Sequence, residues 1–415
     1  MTETQRWMYF ILIFLCGIGM ALTLMAVPPA MGLLIEHYGV GAGTAGWFMS
    51  MGSLASTVVA MFAGAIQNKL NPKGLLLLGM ACICISDVVC FLAGSSIIVM
   101  FVGRFIFGLG MGTINVAGPT LIGAIWEDPQ KRSLPNAIWA CFASVGSIVM
   151  LNSFTTIAPI FGGWQAGFVV AGIFSVVVAV LCAVFARIPK ASLMAVAGGE
   201  GDQKGKFMEA IKSPDVISMF FMFIAFGFIF SSWSAMSPTY IQVGVGMEAG
   251  LANTIASLTT VAGVFGSIII GVILAKVKNQ PLVCLIVMVA MAIFGALEYV
   301  FVDSVLVIFE AIIIGFICGM APPAFTLNVQ WACKDQTLLG VAIAFTSSFG
   351  VGIGGIFAAP AVGALFDSTG VWALASVPIA AVGVVGVIFA ILFAKRCGKK
   401  SVETITTLEA EKAEQ

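Results

Sequence analysis

The sequence predicts an all-α membrane protein whose twelve transmembrane helices form two pseudo-symmetric six-helix bundles. Three observations predict it. Of 415 residues, 60% are hydrophobic and only 9% charged, against about 25% charged residues in a water-soluble domain. Twelve apolar segments are long enough to cross a hydrocarbon core of roughly 30 Å, which takes about 20 residues. Glycine landmarks of the first half also recur in the second half at one constant shift.

The predicted spans are 8–34, 44–66, 74–94, 97–125, 136–158, 164–186, 216–242, 250–275, 281–302, 305–329, 338–363 and 371–394. Long apolar runs without alternation favour helices, because a barrel needs short alternating strands. The N-terminal "MTETQRWMYF" leads into the first span and shows no small-residue cleavage site. Cysteines such as Cys82, Cys84 and Cys90 lie inside apolar runs, where a thiol behaves as a small hydrophobe. With His37 the sole histidine, no metal site, disulfide framework or cofactor is expected. A net charge of zero gives no reason to expect a nucleic-acid partner.

The basic residues fix an orientation. Every Lys and Arg except Arg104 falls at a terminus or in loops 2–3, 4–5, 6–7, 8–9 and 10–11. The opposite loops carry Glu36, Glu248, Asp303 and Asp367 without a cation. The positive-inside rule then places both termini in the cytoplasm and the protein in the plasma membrane, here read as a bacterial inner membrane. The longest loop, 187–215, divides the chain six spans to six. The expected domains are an N-terminal bundle (1–190), a cytoplasmic linker (191–215), a C-terminal bundle (216–397) and a cytoplasmic tail (398–415).

The repeat is read from three coincidences at one shift. Gly64 and Lys69 fall on Gly271 and Lys276, Gly108 on Gly315, and Gly112 on Gly319, while Arg104 lands one residue from Glu310. Parallel duplicated halves are the architecture of one large transporter class.

Three local patterns carry a family resemblance. "GAIQNKLNPKG" between spans 2 and 3, "RFIFGLGMG" in span 4 and "APIFGG" at the end of span 5 resemble the loop, fourth-helix and antiporter motifs of the major facilitator superfamily. Within it, the style of spans 4 and 5 is similar to cyanate-permease-like and other anion porters. Asn68 stands where the loop motif carries an acidic residue, and Ala158 where the antiporters carry glycine. The resemblance implies the major facilitator fold, alternating access, and a cytoplasmic-gate loop at Gly64, Asn68, Lys69 and Lys73. It also implies a central cavity lined by spans 1, 4, 7 and 10.

Charges inside spans are the candidate functional residues. Arg104 lies seven residues into span 4, roughly 10 Å deep at 1.5 Å per residue. A charge at the membrane centre costs about 2.5–3.5 kcal/mol on insertion scales, so it should face a partner or water. Asp87 lies about as far before the 3–4 hairpin as Arg104 lies after it, which makes an Asp87–Arg104 pair geometrically reasonable. That pair either locks the helices or leaves Arg104 facing the transport path. In the second case Arg104, Gly108, Met111, Asn115 and Pro119 share one helical face, and the arginine fork suits a carboxylate or similar oxyanion.

Glu310, in the matching position of span 10, has no Lys or Arg within spans 7 to 12. A lone carboxylate in a low dielectric suits proton uptake and release. Glu298 is expected to be solvated near the mouth of span 9. Trp233, beside Ser231, Ser232 and Ser234, and the amide of Asn152 complete the candidate substrate contacts.

No Gly-x4-Gly-Lys-Ser/Thr phosphate loop occurs, so direct drive by ATP is not expected. The sequence therefore points to a secondary active transporter, functional as a monomer. Its cargo is read as a small organic or inorganic anion, coupled to protons. Efflux of hydrophobic drugs by proton antiport, and a non-transporting sensor, are the alternatives. A membrane enzyme lacks its nucleophile or metal cluster.

Overall fold

The computed structural model describes residues 1–413 except 70, 127, 129–130, 187, 189–207, 210 and 334–337. The side chains of 61, 63–69, 133 and 408–413 are also outside the description. Most of the predicted linker therefore lies outside the described residues.

The chain folds into helices, and no strand occurs among the described residues. The first six long helices are α1 (Glu3–Leu24), α2 (Ala42–Lys69), α3 (Pro72–Phe91), α4 (Ile97–Ile125), α5 (Phe142–Ile157) and α6 (Ala166–Phe185). The second six are α7 (Pro214–Thr239), α8 (Ala249–Lys276), α9 (Gln280–Gly295), α10 (Ser304–Ala332), α11 (Gly350–Thr369) and α12 (Val377–Ala413). Each matches one predicted span. Among the described residues, ten helical stretches are apolar and long enough to cross a membrane, and α9 is a shorter apolar helix.

Local sequence sets several of the starts. Asn71, Ser213 and Asn279 accept hydrogen bonds from the backbone N–H groups of Gly74, Val216 and Leu282. A proline follows in the first turn of each helix. The cap satisfies an otherwise orphaned donor, and proline has no N–H to lose there. Asp303 caps α10 in the same way, accepting from Val305 and Leu306.

The outer faces are greasy. On α6, Ile173, Val177, Val180 and Val184 are exposed, whereas Ala171, Ser175, Val178 and Cys182 are buried. An exposed apolar stripe of this length is unfavourable in water but carries no penalty against lipid tails.

The residues cluster into two compact units. One holds Met1–Glu200 with Glu248–Ser257, the other Gly201–Met247 with Leu258–Gln415. Each unit uses the same pairings. In the first, α3 packs on α4 and α6, and α1 packs on α4, α5 and α6. In the second, α9 packs on α10 and α12, and α7 packs on α10, α11 and α12.

Glycines make the repeat physical where the fourth helix of each half meets the second. A Cβ added at Gly108 would lie 2.3 Å from the Gly52 carbonyl oxygen, and one added at Gly315 would lie 2.2 Å from that of Thr259. Both are backbone atoms that cannot step aside. Overpacking a well-packed core typically costs about 1–3 kcal/mol, and contact with backbone puts Gly315→Val at the upper end. A clear loss of thermal stability in detergent is expected for Gly315→Val. An unchanged melting point would show that α8 and α10 are free to separate.

Candidate functional site: buried charges in each half

In the first unit the site is built on α1, α2, α3 and α4. Arg104 is 0% exposed. Its Nε donates to the Phe48 carbonyl at 2.7 Å and its Nη1 to the Thr23 carbonyl at 3.0 Å. Among the described residues Nη2 reaches only the Met49 sulfur, at 3.9 Å. The guanidinium carbon lies 4.4 Å from the centre of the Phe107 ring, a cation–π distance.

Asp87 is 2% exposed, and among the described contacts it meets Arg104 through Thr23 and not as a direct ion pair. Thr23 stands between them: its hydroxyl donates to Asp87 Oδ2 at 3.0 Å while its carbonyl accepts from Arg104. The two charges still interact electrostatically. Asp87 Oδ1 has no hydrogen-bond partner among the described residues. The residue between them comes from α1, which no hairpin geometry contains.

The helical stripe from Arg104 to Pro119 is buried at one end and open at the other. Arg104 and Gly108 turn into α2, whereas Asn115 and Pro119 are exposed. Arg104 and Asn115 therefore share a helix face without sharing an environment. Lys73 donates to the Ala183 carbonyl on α6 at 3.1 Å. Gly64, Asn68 and Lys69 belong to α2, and their side chains lie outside the described residues.

Asn152 is satisfied by protein. Its Nδ2 donates to the Ile148 carbonyl at 2.8 Å and to Ser257 Oγ at 3.1 Å, and its Oδ1 accepts from Thr254 Oγ1 at 2.9 Å. Thr254 and Ser257 belong to the Glu248–Ser257 segment that clusters with the first unit.

In the second unit the site gathers on α7, α10 and the turn after α9. Glu310 is 3% exposed, and its Oε1 lacks a hydrogen-bond partner among the described residues. Glu298, expected at a solvated mouth, is instead 1% exposed. The reason is local: α9 ends at Gly295, and the turn that follows folds Glu298 inward. Its Oε2 accepts from Ser232 Oγ at 2.7 Å, while its Oε1 also lacks a partner among the described residues.

Aromatic residues close this cluster. Tyr299 donates to the Ser232 carbonyl at 2.7 Å and stacks on Trp233 with ring centres 6.1 Å apart. Tyr240 donates to the Phe301 carbonyl and packs edge-on against Tyr299. Trp233 is buried, and its indole N–H is committed to Thr259 Oγ1 at 2.8 Å. Sequence reasoning missed Thr23, the bond from Ser232 to a carboxylate and the burial of Glu298. A hydroxyl residue in the first helix of each half, facing a carboxylate after or within the third, is a signal that aligning the halves could have raised.

Two halves of six helices with charges buried inside each define a membrane transporter of the secondary type. The chain belongs to the Major Facilitator Superfamily, whose family model matches residues 9–350. It is a transporter of that superfamily and not an enzyme.

One similar relative is the Bacillus subtilis (strain 168) protein named "Uncharacterized MFS-type transporter YceJ", 26% identical over 162 residues. That match covers 39% of this chain and only 38% of the relative's length. Two solved structures of a bacterial homologue of the human lysosomal transporter Spinster share the fold, each with a TM-score of 0.72. The inward-facing, occupied form is 15% identical and the match covers 97% of this chain and 99% of that one. The inward-facing, unoccupied form is 14% identical, with 99% and 96% covered.

Proposed function

We propose that this transporter moves a small organic or inorganic anion across the plasma membrane by alternating access, with proton coupling at Glu310. The observation that carries the coupling is a buried Glu310 whose own half has no Lys or Arg within its spans. Burying an uncompensated carboxylate is costly, and taking up a proton removes the cost. The anion assignment is supported by Arg104. Two of its nitrogens are held by backbone carbonyls, which aims the fork, and among the described residues Nη2 reaches only a sulfur.

Efflux of hydrophobic compounds by proton antiport is the second reading. It is favoured by the complete burial of Arg104 and its link through Thr23 to Asp87, which leave less of its charge for a cargo.

Uptake by proteoliposomes separates the two. A panel of labelled carboxylates, inorganic anions and lipophilic cations is offered with and without an imposed pH gradient. Saturable anion accumulation that collapses with the gradient is expected. Movement of the lipophilic cations alone would select the efflux reading, and movement of nothing in the panel would remove both.

A further inference from the structure

The last helix is longer than a membrane requires. Helix α12 runs from Val377 to Ala413, 37 residues. About 20 of them cross a hydrocarbon core of roughly 30 Å at 1.5 Å per residue, which brings the chain out near Arg396. Its counterpart in the first half, α6, stops at Phe185 after 20 residues.

One side of the emerging segment is fastened to the second unit. Ser401, 0% exposed, donates from Oγ to the Lys278 carbonyl at 2.7 Å. Cys397, also buried, donates to the Trp331 carbonyl at 3.5 Å. A Cβ added at Gly398 would lie 3.1 Å from Asn279 Oδ1. Arg396 pairs with Asp215, in the first turn of α7, at 3.3 Å. The segment is thus held by α7, by the turn between α8 and α9, and by the end of α10.

The side turned away from these contacts is basic. Lys395, Lys399 and Lys400 are exposed and make no ion pair among the described residues. Val384, Ile388 and Ile391 are exposed too, and with Lys395 and Lys399 they follow steps of four, three, four and four along one helix face. A single stripe therefore passes from hydrocarbon to cation where α12 leaves the core. The headgroup layer adds roughly 5–7 Å on each side of the core. Lys399 and Lys400 fall within it, about four residues past the edge at 1.5 Å each. Glu403, the first acid further along this face, falls beyond it.

We infer that this face of α12 binds the headgroup of an anionic phospholipid, with Lys395, Lys399 and Lys400 on the phosphate and the exposed apolar stripe along the acyl chains. Clusters of lysine just past a membrane helix attract anionic lipid, and ammonium groups bind phosphate as point charges. A free phosphate would use the lysines and leave the apolar stripe idle; a phospholipid matches both. Because the same segment is bonded to α7 and α10, the bound headgroup sets the level of those helices in the membrane.

Native mass spectrometry of the full chain in detergent tests this, by counting the phosphatidylglycerol and phosphatidylcholine it retains from an equal mixture. The parent is expected to prefer phosphatidylglycerol. Replacing Lys395, Lys399 and Lys400 together by Gln should cut that preference steeply, at about five-fold per lysine, and replacing all three by Arg should keep it. Lys212→Gln, which removes an exposed cation of the same unit outside α12, should also keep it. Melting in lipid-free detergent should not change in the Gln variant, since no contact to the bundle is lost. If that variant fails to fold, Lys399→Gln alone should still lower the preference about five-fold.

An unchanged preference in the Gln variant would overturn the site. So would an equal loss in the Arg variant, which would remove charge as the cause, or in Lys212→Gln, which would make the attraction diffuse. Displacement of the lipid by glycerol phosphate at equal concentration would assign the lysines to a free phosphate instead. Binding of an acidic peptide to the three lysines with the lipid ratio unaffected would assign them to a protein partner.

Discussion

Glu310→Gln is expected to abolish accumulation driven by a pH gradient, while substrate binding and substrate exchange persist. The amide keeps the shape of the protonated acid and cannot release a proton, so steps that need no net proton movement continue. The residue is buried on α10, and it pairs with no cation among the described residues. Removing an acid from this cluster relieves a burial cost, so the variant should fold at least as well as its parent. The measurement is uptake into proteoliposomes under an imposed gradient, paired with a binding assay on the same preparation. Concentrative uptake equal to that of the parent would exclude Glu310 as the coupling group.

Arg104 should show the largest effect on stability. Arg104→Met removes the donors to the Phe48 and Thr23 carbonyls and leaves the buried Asp87 with the Thr23 hydroxyl as its hydrogen-bond partner and no cation nearby among the described residues. Leaving a buried hydrogen-bonding group unmet typically costs about 1–3 kcal/mol, and Arg104→Met leaves two carbonyls in that state. Arg104→Lys keeps the charge but loses the fork that reaches two carbonyls on different helices, for about 1–3 kcal/mol.

Adding Asp87→Asn to Arg104→Met should return part of the loss, because the stranded charge is gone. The returned part measures the coupling that runs through Thr23. The readout is thermal unfolding in detergent of the three variants and the double. If Asp87→Asn adds its own full penalty on top of Arg104→Met, the two residues are independent. Arg104 would then be held by its carbonyl contacts alone. If Arg104→Lys is as stable as the parent yet binds anions more weakly, the fork serves the cargo and not the fold.

Much of the fold is legible in the amino-acid order. Length and hydropathy are local properties, so the twelve spans from 8–34 to 371–394 each correspond to one long helix. Helix starts are legible for the same reason, since Asn71, Ser213 and Asn279 act on donors three residues away. The repeat is visible because Gly108 and Gly315 must both stay small where the fourth helix touches backbone. Arg104 and Glu310 also stand out, as a charge in a hydrocarbon run is conspicuous wherever it points.

What the sequence could not decide was who faces whom. Thr23 reaches Asp87 across 64 residues and Ser232 reaches Glu298 across 66. A serine or threonine in an apolar helix looks alike whether it bonds its own turn or a distant carboxylate. The depth of Glu298 depended on a turn after Gly295 that folds inward, which hydropathy does not register. The sequence by itself therefore determined the class of protein, its spans and its duplicated plan, because these follow from local polarity. Only the tertiary structure decided that one half balances its buried charge and the other does not, because that balance is made between helices far apart in the chain.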